Sequence, residues 1–171
     1  VRHYFSQHAW GNTTLEDFLG SLALAAPDRS LDAWARDWLA STGISRLTPV
    51  ISDRDGVITH AVIEQSSVSP DMGEDGPLRS HRIAIGIYER RTRSGRLQRS
   101  ELLEVDVSGR TTHLDMLIGR RRPALILVND EDDSYAQCDL DPVSTRPARE
   151  ELSALDSSMA RGLIWSPLRM Q

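Results

Sequence analysis

A chain of 171 residues, 39% hydrophobic and 26% charged, is built for one soluble domain, or for one domain with pieces of two others, and is long enough to bury a core. Its net charge of −5 argues against a phosphate-backbone binder, and no apolar run nears the roughly 20 residues that cross a bilayer. Its single cysteine, Cys138, excludes an internal disulfide and a Cys-based zinc site. The chain opens without a charged segment leading into an apolar core, so it reads as neither secreted nor membrane-bound, and a cytosolic setting is expected. All 20 basic residues are arginine, which fits a coding bias better than a chemical requirement.

Helical patterning comes first in the chain. Asn12 or Thr13 is placed to cap backbone N–H groups, Thr13 and Glu16 have capping-box spacing, and Leu15, Phe18, Leu19 and Leu22 form one apolar stripe. After Pro27, the run LDAWARDWLASTG puts Leu31, Trp34, Ala35, Trp38 and Leu39 on one face of a second helix. Gly43 is expected to end that helix, and both tryptophans are expected in the core.

From Leu47 the period changes to two. The runs LTPVIS and VITHAVIEQ flank Asp55-Gly56, a strong hairpin signal, and HRIAIGIYE sends Ile83, Ile85 and Ile87 to one face and Ala84, Gly86 and Tyr88 to the other. Residues 66–77 read as the longest loop, and Ser94-Gly95 and Ser108-Gly109 as further turns. The runs LQRSELLEVDVS, TTHLDML, PALILVN and SYAQCDL complete a set of strand-length segments, of which ALILV looks buried on both faces. Beyond Asp141-Pro142 the character is helical again. Residues 148–155 are rich in helix formers, Ser157 or Ser158 caps the last helix, Ala160, Leu163 and Ile164 form its stripe, and Pro167 interrupts it. The fold class is therefore mainly β: an antiparallel, immunoglobulin-like two-sheet sandwich preceded by two helices and followed by one or two.

Candidate chemistry is sparse. His3 and His8 are five apart with no intervening glutamate in register, and His60, His81 and His113 fall in separate strands, so partly exposed strand histidines are favoured over a metal site. The acidic run Asp130, Glu131, Asp132, Asp133 lacks the ligand spacing and glycine of a calcium loop and reads as a solvated tip facing Arg120 to Arg122. Arg90, Arg91, Arg93, Arg96 and Arg99 surround a turn with little aromatic interleaving, which favours a charged hairpin over a nucleic-acid site. Cys138 has no base beside it in the sequence and reads as an apolar filler. No catalytic, metal-binding or cofactor-binding residue is assigned.

The opening YFSQHAWGNTTLEDF, through Tyr4, Phe5, His8, Asn12, Thr13, Thr14, Asp17 and Phe18, resembles the helix near the end of the catalytic domain in the aminopeptidase N family of zinc metallopeptidases. The next stretch is similar to that family's following helix and its exit into a β-domain, at Trp38, Gly43 and Leu47. HRIAIGIYE, PALILVNDEDDSYAQCDLD and ARGLIWSPLRM are similar to the bacterial branch, and Gln137-Cys138 departs from the basic residue expected after Tyr135-Ala136.

The resemblance implies residues 1–44 as the end of a catalytic domain, 45–140 as a β-sandwich domain and 141–171 as the start of a helical domain. It implies a parent that uses zinc to remove N-terminal residues from peptides. The family's HExxH helix and G-x-M-E-N strand have no match here, so the expectation is an inactive segment whose partner is the remainder of its own chain, with no nucleic acid and no membrane. Hydrophobic stripes around Phe5, Trp10 and Phe18 at one end, and Leu163, Ile164 and Trp165 at the other, are then expected to be exposed or covered by self-association. The alternative is a free-standing β-sandwich that binds a protein through hairpin tips or an edge strand.

Overall fold

A computed structural model describes the chain apart from residues 29, 70–72, 74–75, 92–94 and 171; the side chains of residues 166, 167, 169 and 170 are also outside the description. Two compact units, 1–41 and 42–171, are present.

The first unit holds α1 (Arg2–His8), α2 (Leu15–Ala23) and α3 (Leu31–Leu39). Three helices thus precede the sandwich where sequence patterning indicates two. The capping box of α2 is Thr14 with Asp17, one residue later than Thr13 with Glu16: Asp17 N–H donates to Thr14 Oγ1 (3.3 Å) and Thr14 N–H to Asp17 Oδ2 (2.9 Å). This start frees Thr13 to meet Tyr4 Oη at 2.6 Å. The exposed Asp17 carboxyl is held below its usual pKa range by the Thr14 backbone N–H and hydroxyl.

The second unit begins at Gly43 and β1 (Ile44–Arg54). Gly43 does not terminate α3, which closes through Ala40 N–H to Ala35 O; its φ of 84° instead serves a close approach in which a Cβ would lie 2.7 Å from Val68 O. β1 pairs antiparallel with β2 (Val57–Val68) across a two-residue turn whose Asp55 and Gly56 both have positive φ, 54° and 72°. Because β2 runs to Val68, residues 66–68 are strand and not loop; much of the remaining predicted loop, at 70–72 and 74–75, lies outside the described residues.

One sheet has the order β5-β2-β1-β7, with β5 at Thr111–His113 and β7 at Ala136–Cys138. The other has the order β4-β3-β6, with β3 at His81–Arg90, β4 at Leu97–Val107 and β6 at Leu125–Val128. All pairings between named strands are antiparallel except β1 with β7, where Ser45, Arg46 and Leu47 run parallel to Ala136, Gln137 and Cys138. TTHLDML and SYAQCDL therefore contribute only three strand residues each, and Asp115–Leu117 forms a 3-10 turn.

Alternation along β3 builds two cores. Ile83, Ile85 and Ile87 meet Leu47, Ala61, Ile63, Val105, Ile126 and Val128 between the sheets. On the opposite face, Tyr88 joins Leu97, Leu125 and Leu127 beneath α4 (Pro142–Glu150), a 3-10 turn at Leu152–Ala154, and α5 (Ser158–Met170). All four residues of β6 are buried, as its apolar sequence requires of a strand packed on both sides.

The helical tail departs from expectation in three respects. α4 starts six residues before Ala148, because Pro142 suits the first turn and Asp141 caps it. Ser157 Oγ accepts Ala160 N–H at the start of α5, which continues past Pro167 to Met170. Ala160 and Ile164 are fully buried and Leu163 packs beside them, so this stripe is covered within the chain; among the described large apolar side chains of α5, Met159 and Trp165 are exposed.

Candidate functional site

Buried polar side chains converge on the turn between β6 and β7. Asn129 adopts a φ of 61°; its Nδ2 donates to Ser134 O (2.8 Å) and its Oδ1 accepts Ser134 N–H (3.2 Å). Asp130, 2% exposed, has its backbone N–H on Ala84 O (2.9 Å) and its carboxylate oxygens 2.8 and 2.9 Å from Tyr88 Oη. Arg99 Nη1 lies 3.1 Å from Asp130 Oδ2 and also pairs with Glu131. At the other end of the turn, His81 Nδ1 is 2.6 Å from Ser134 Oγ. Gln65 Nε2 donates to Arg79 O (2.7 Å) and Ser45 Oγ (2.9 Å) and stands 3.3 Å from His81 Nε2. His81 is thus bracketed by a hydroxyl at Nδ1 and the Gln65 amide at Nε2.

Burial controls the titration of these groups. Desolvation, with Arg79 nearby, brings the His81 imidazole down to about 4. Tyr88 is raised, first by burial and then by its hydrogen bond to the Asp130 carboxylate, so the phenol remains a donor. Asp130 is raised by burial against the opposing pull of Tyr88 and Arg99. Cys138 is pushed up to about 12 by burial, with Asp139 and Asp132 adding to the shift, and stays a neutral thiol. Near neutral pH the set therefore fixes a turn. Beside that turn lies a cleft of about 320 Å³ lined by Val128, Tyr135, Cys138, Gly162 and Leu163 among others, with Tyr135 mostly exposed.

The histidines do not assemble. His60 and His113 lie exposed on β2 and β5 while His81 is buried, and among the described residues no three His, Cys, Asp or Glu side chains are grouped as metal ligands. The acidic run is not wholly solvated: Asp130 is buried, and its cationic partner is Arg99, not the 120–122 run. Arg120 pairs instead with Glu101 (2.6 Å), and Arg122 with Asp141. Arg90 bonds Glu151 (2.6 Å) and Arg96 bonds Asp156 (2.6 Å), which spends those charges on the chain's own acids; Arg93 lies outside the described residues. Tyr88, Gln65, Asn129 and Ser134 were not singled out by sequence patterning. Gly86 is a signal for Tyr88 and Asp130 alone: a methyl there would overlap the Asp130 carboxylate and crowd the Tyr88 ring, and a glycine inside a strand marks such an approach.

The helices of the first unit carry a different surface. α1 and α3 have no buried residue, and Phe5, Trp10, Leu24, Trp34 and Leu39 are exposed. Trp34 at 42% exposure corrects the expectation that it is core. Trp10 has a φ of 66°, a conformation bulky side chains seldom adopt. Tyr4 stacks edge-on against Phe18, with ring centroids 5.3 Å apart.

No protein-family model matches the chain. Over 169 residues, 97% of its length, it is 42% identical to aminopeptidase N of Streptomyces lividans, and it spans 20% of that protein.

Proposed function

Because the chain corresponds along nearly its whole length to a segment of an aminopeptidase N, we propose that it is the non-catalytic spacer of a peptidase that removes N-terminal residues from peptides. In this reading residues 1–44 close a catalytic domain, 45–140 are the sandwich, and 141–171 open a helical domain that the sandwich holds in place. The partner of these residues is the remainder of the same polypeptide, peptides are the substrate of the whole, and the setting is cytoplasmic, without nucleic acid or membrane. Zinc would polarise the scissile carbonyl and activate water in the parent. Among the described residues no three potential ligands come together to hold that ion, and no step of the hydrolysis is assigned to this chain.

The observation that carries the reading is the uncovered aromatic surface of α1–α3, with Phe5 at 62% and Trp34 at 42% exposure, on a chain that spans a fifth of its relative. Large aromatic side chains left in water fit an interface better than a finished surface. The test is complementation: this chain is mixed with the remaining four-fifths of an aminopeptidase N, and cleavage of an amino-acid anilide is followed. Activity is expected only when both pieces are present. Cleavage by the 171-residue chain alone would overturn the spacer role, and would favour a catalyst that sequence and structure do not suggest.

A further inference from the structure

The chain leaves the sandwich for α4 at Asp141, and there it buries an ion pair. Arg122 and Asp141 side chains are 6% and 0% exposed and pair through Arg122 Nη2 and Asp141 Oδ1. That same Oδ1 accepts the α4 N–H groups of Val143 (3.0 Å) and Ser144 (3.2 Å). Arg122 N–H in turn donates to Gly56 O in the β1–β2 turn (2.8 Å), and Ser144 Oγ accepts Ile126 N–H on the open side of β6 (2.9 Å). The side-chain pair joins the residue before Pro123 to the first turn of α4, while the Arg122 backbone N–H fastens the same point to the hairpin turn and Ser144 fastens the helix to β6.

As a stabilising device this pair is poorly made. Arg122 Nε and Nη1 and Asp141 Oδ2 are buried without a hydrogen-bond partner among the described residues. An ion pair repays its desolvation only when its remaining donors and acceptors are satisfied, and apolar replacements often match or exceed its stability. The packing of α4 and α5 on the sheet, through Ala148, Ala160, Ile164, Leu125 and Leu127, already supplies cohesion. Apolar contact is nondirectional, however. Asp141 Oδ1, as cap and as counter-ion at once, allows one start point and one direction.

We propose that Arg122–Asp141 is a conformational latch that sets the angle at which α4 and α5 leave the sandwich, contributing direction more than stability. The inference deepens the spacer reading, on which its purpose rests, yet its test reads this chain alone, so failed complementation would leave it standing. Three variants of the full chain are compared: Arg122→Met, Asp141→Asn and the double substitution. Asparagine keeps an N-cap oxygen while removing the charge.

Arg122→Met leaves a buried carboxylate unpaired and is expected to lower the melting temperature clearly. The double variant is expected to melt within about 3 °C of the parent, while amide hydrogen exchange at residues 143–164 speeds at least tenfold and exchange in β3 does not change. Unchanged exchange at 143–164 in the double variant would overturn the latch. So would a double variant that melts as low as Arg122→Met, since the pair would then be an ordinary stabilising contact. Should Arg122→Met fail to fold, Asp141→Asn stands in as the broken pair, and a double variant that melts as low as Asp141→Asn overturns the latch.

Discussion

The two units use the same kind of residue to opposite ends. In the sandwich, aliphatic side chains at period two disappear between sheets, and Leu47, Ile63, Ile85 and Ile126 are all wholly buried. In α1–α3, equally apolar stripes at helical period leave Phe5, Trp34 and Leu39 in solvent. Helices of seven to nine residues are marginal without an apolar surface to pack on. Patterning reports that a face wants burial; it does not report where the partner is encoded. Strands find their partners within about 130 residues of this chain, and the α5 stripe finds Tyr88 and Leu125. The aromatic helices are the part that leaves large apolar side chains in solvent.

Truncating one side chain in each unit breaks or sharpens that contrast. Ile85→Ala removes a 0%-exposed side chain from the centre of the inter-sheet core and is expected to cost about 3–4 kcal/mol, from lost transfer energy plus the cavity left behind. Urea unfolding of the isolated chain measures it. A loss below about 1 kcal/mol, the scale of surface substitutions and not of cavities, would mean that the sandwich is not self-supporting and that the two units differ less than their burial implies.

A smaller effect follows from His81, which is 4% exposed and has a pKa lowered to about 4 by burial and then by Arg79. The unfolded chain binds this proton near 6.5, so between about 6.5 and about 4 the unfolded state carries more protons and stability falls with falling pH. The stabilisation is complete above about 6.5, and up to about 3 kcal/mol is lost on approaching pH 4. His81→Gln should flatten the stability profile across this window while keeping a polar side chain beside Ser134. Asp130, raised by burial, has the opposite pH sign, and for that reason the parent-minus-variant difference is the quantity to follow. An identical pH profile in the two proteins would place the His81 ring in solvent contact and undo the account of the braced turn.

What was legible in the sequence divides along similar lines. The β1–β2 hairpin, the two faces of β3 and the buried run at Leu125 to Val128 were legible, because each rests on local chemistry: left-handed tolerance at Asp55-Gly56, alternation, or an unbroken apolar run. The parallel placement of β7 was not, since nothing in Ala136 to Cys138 names β1 some 90 positions earlier as neighbour. Sequence patterning puts Asp130 in solvent with its acidic neighbours because an isolated carboxylate avoids burial. Its compensation, Tyr88 and Arg99, is 42 and 31 residues away. The Asp141–Arg122 tie needed the helix start at Pro142, which propensity places too late.

The smallest expected effect tests the other side of the comparison. Trp34 is 42% exposed on a helix with no buried residue, so Trp34→Ser should shift the unfolding of the isolated chain by no more than about 0.5 kcal/mol. An aromatic face that the chain cannot cover itself should instead matter when a partner is present, because desolvated tryptophans are the residues on which interfaces concentrate their energy. In the two-piece complementation assay the same substitution is expected to weaken assembly by at least tenfold, read from the concentration of chain that gives half-maximal anilide cleavage. Sedimentation of the isolated chain supplies the control: if it is a dimer that Trp34→Ser converts to monomer, the face is used between copies and the weakened complementation has a competing cause. If neither stability nor assembly responds, the exposed aromatic stripe is an idle surface, and the contrast between a self-covering sandwich and partner-seeking helices fails at its weaker end.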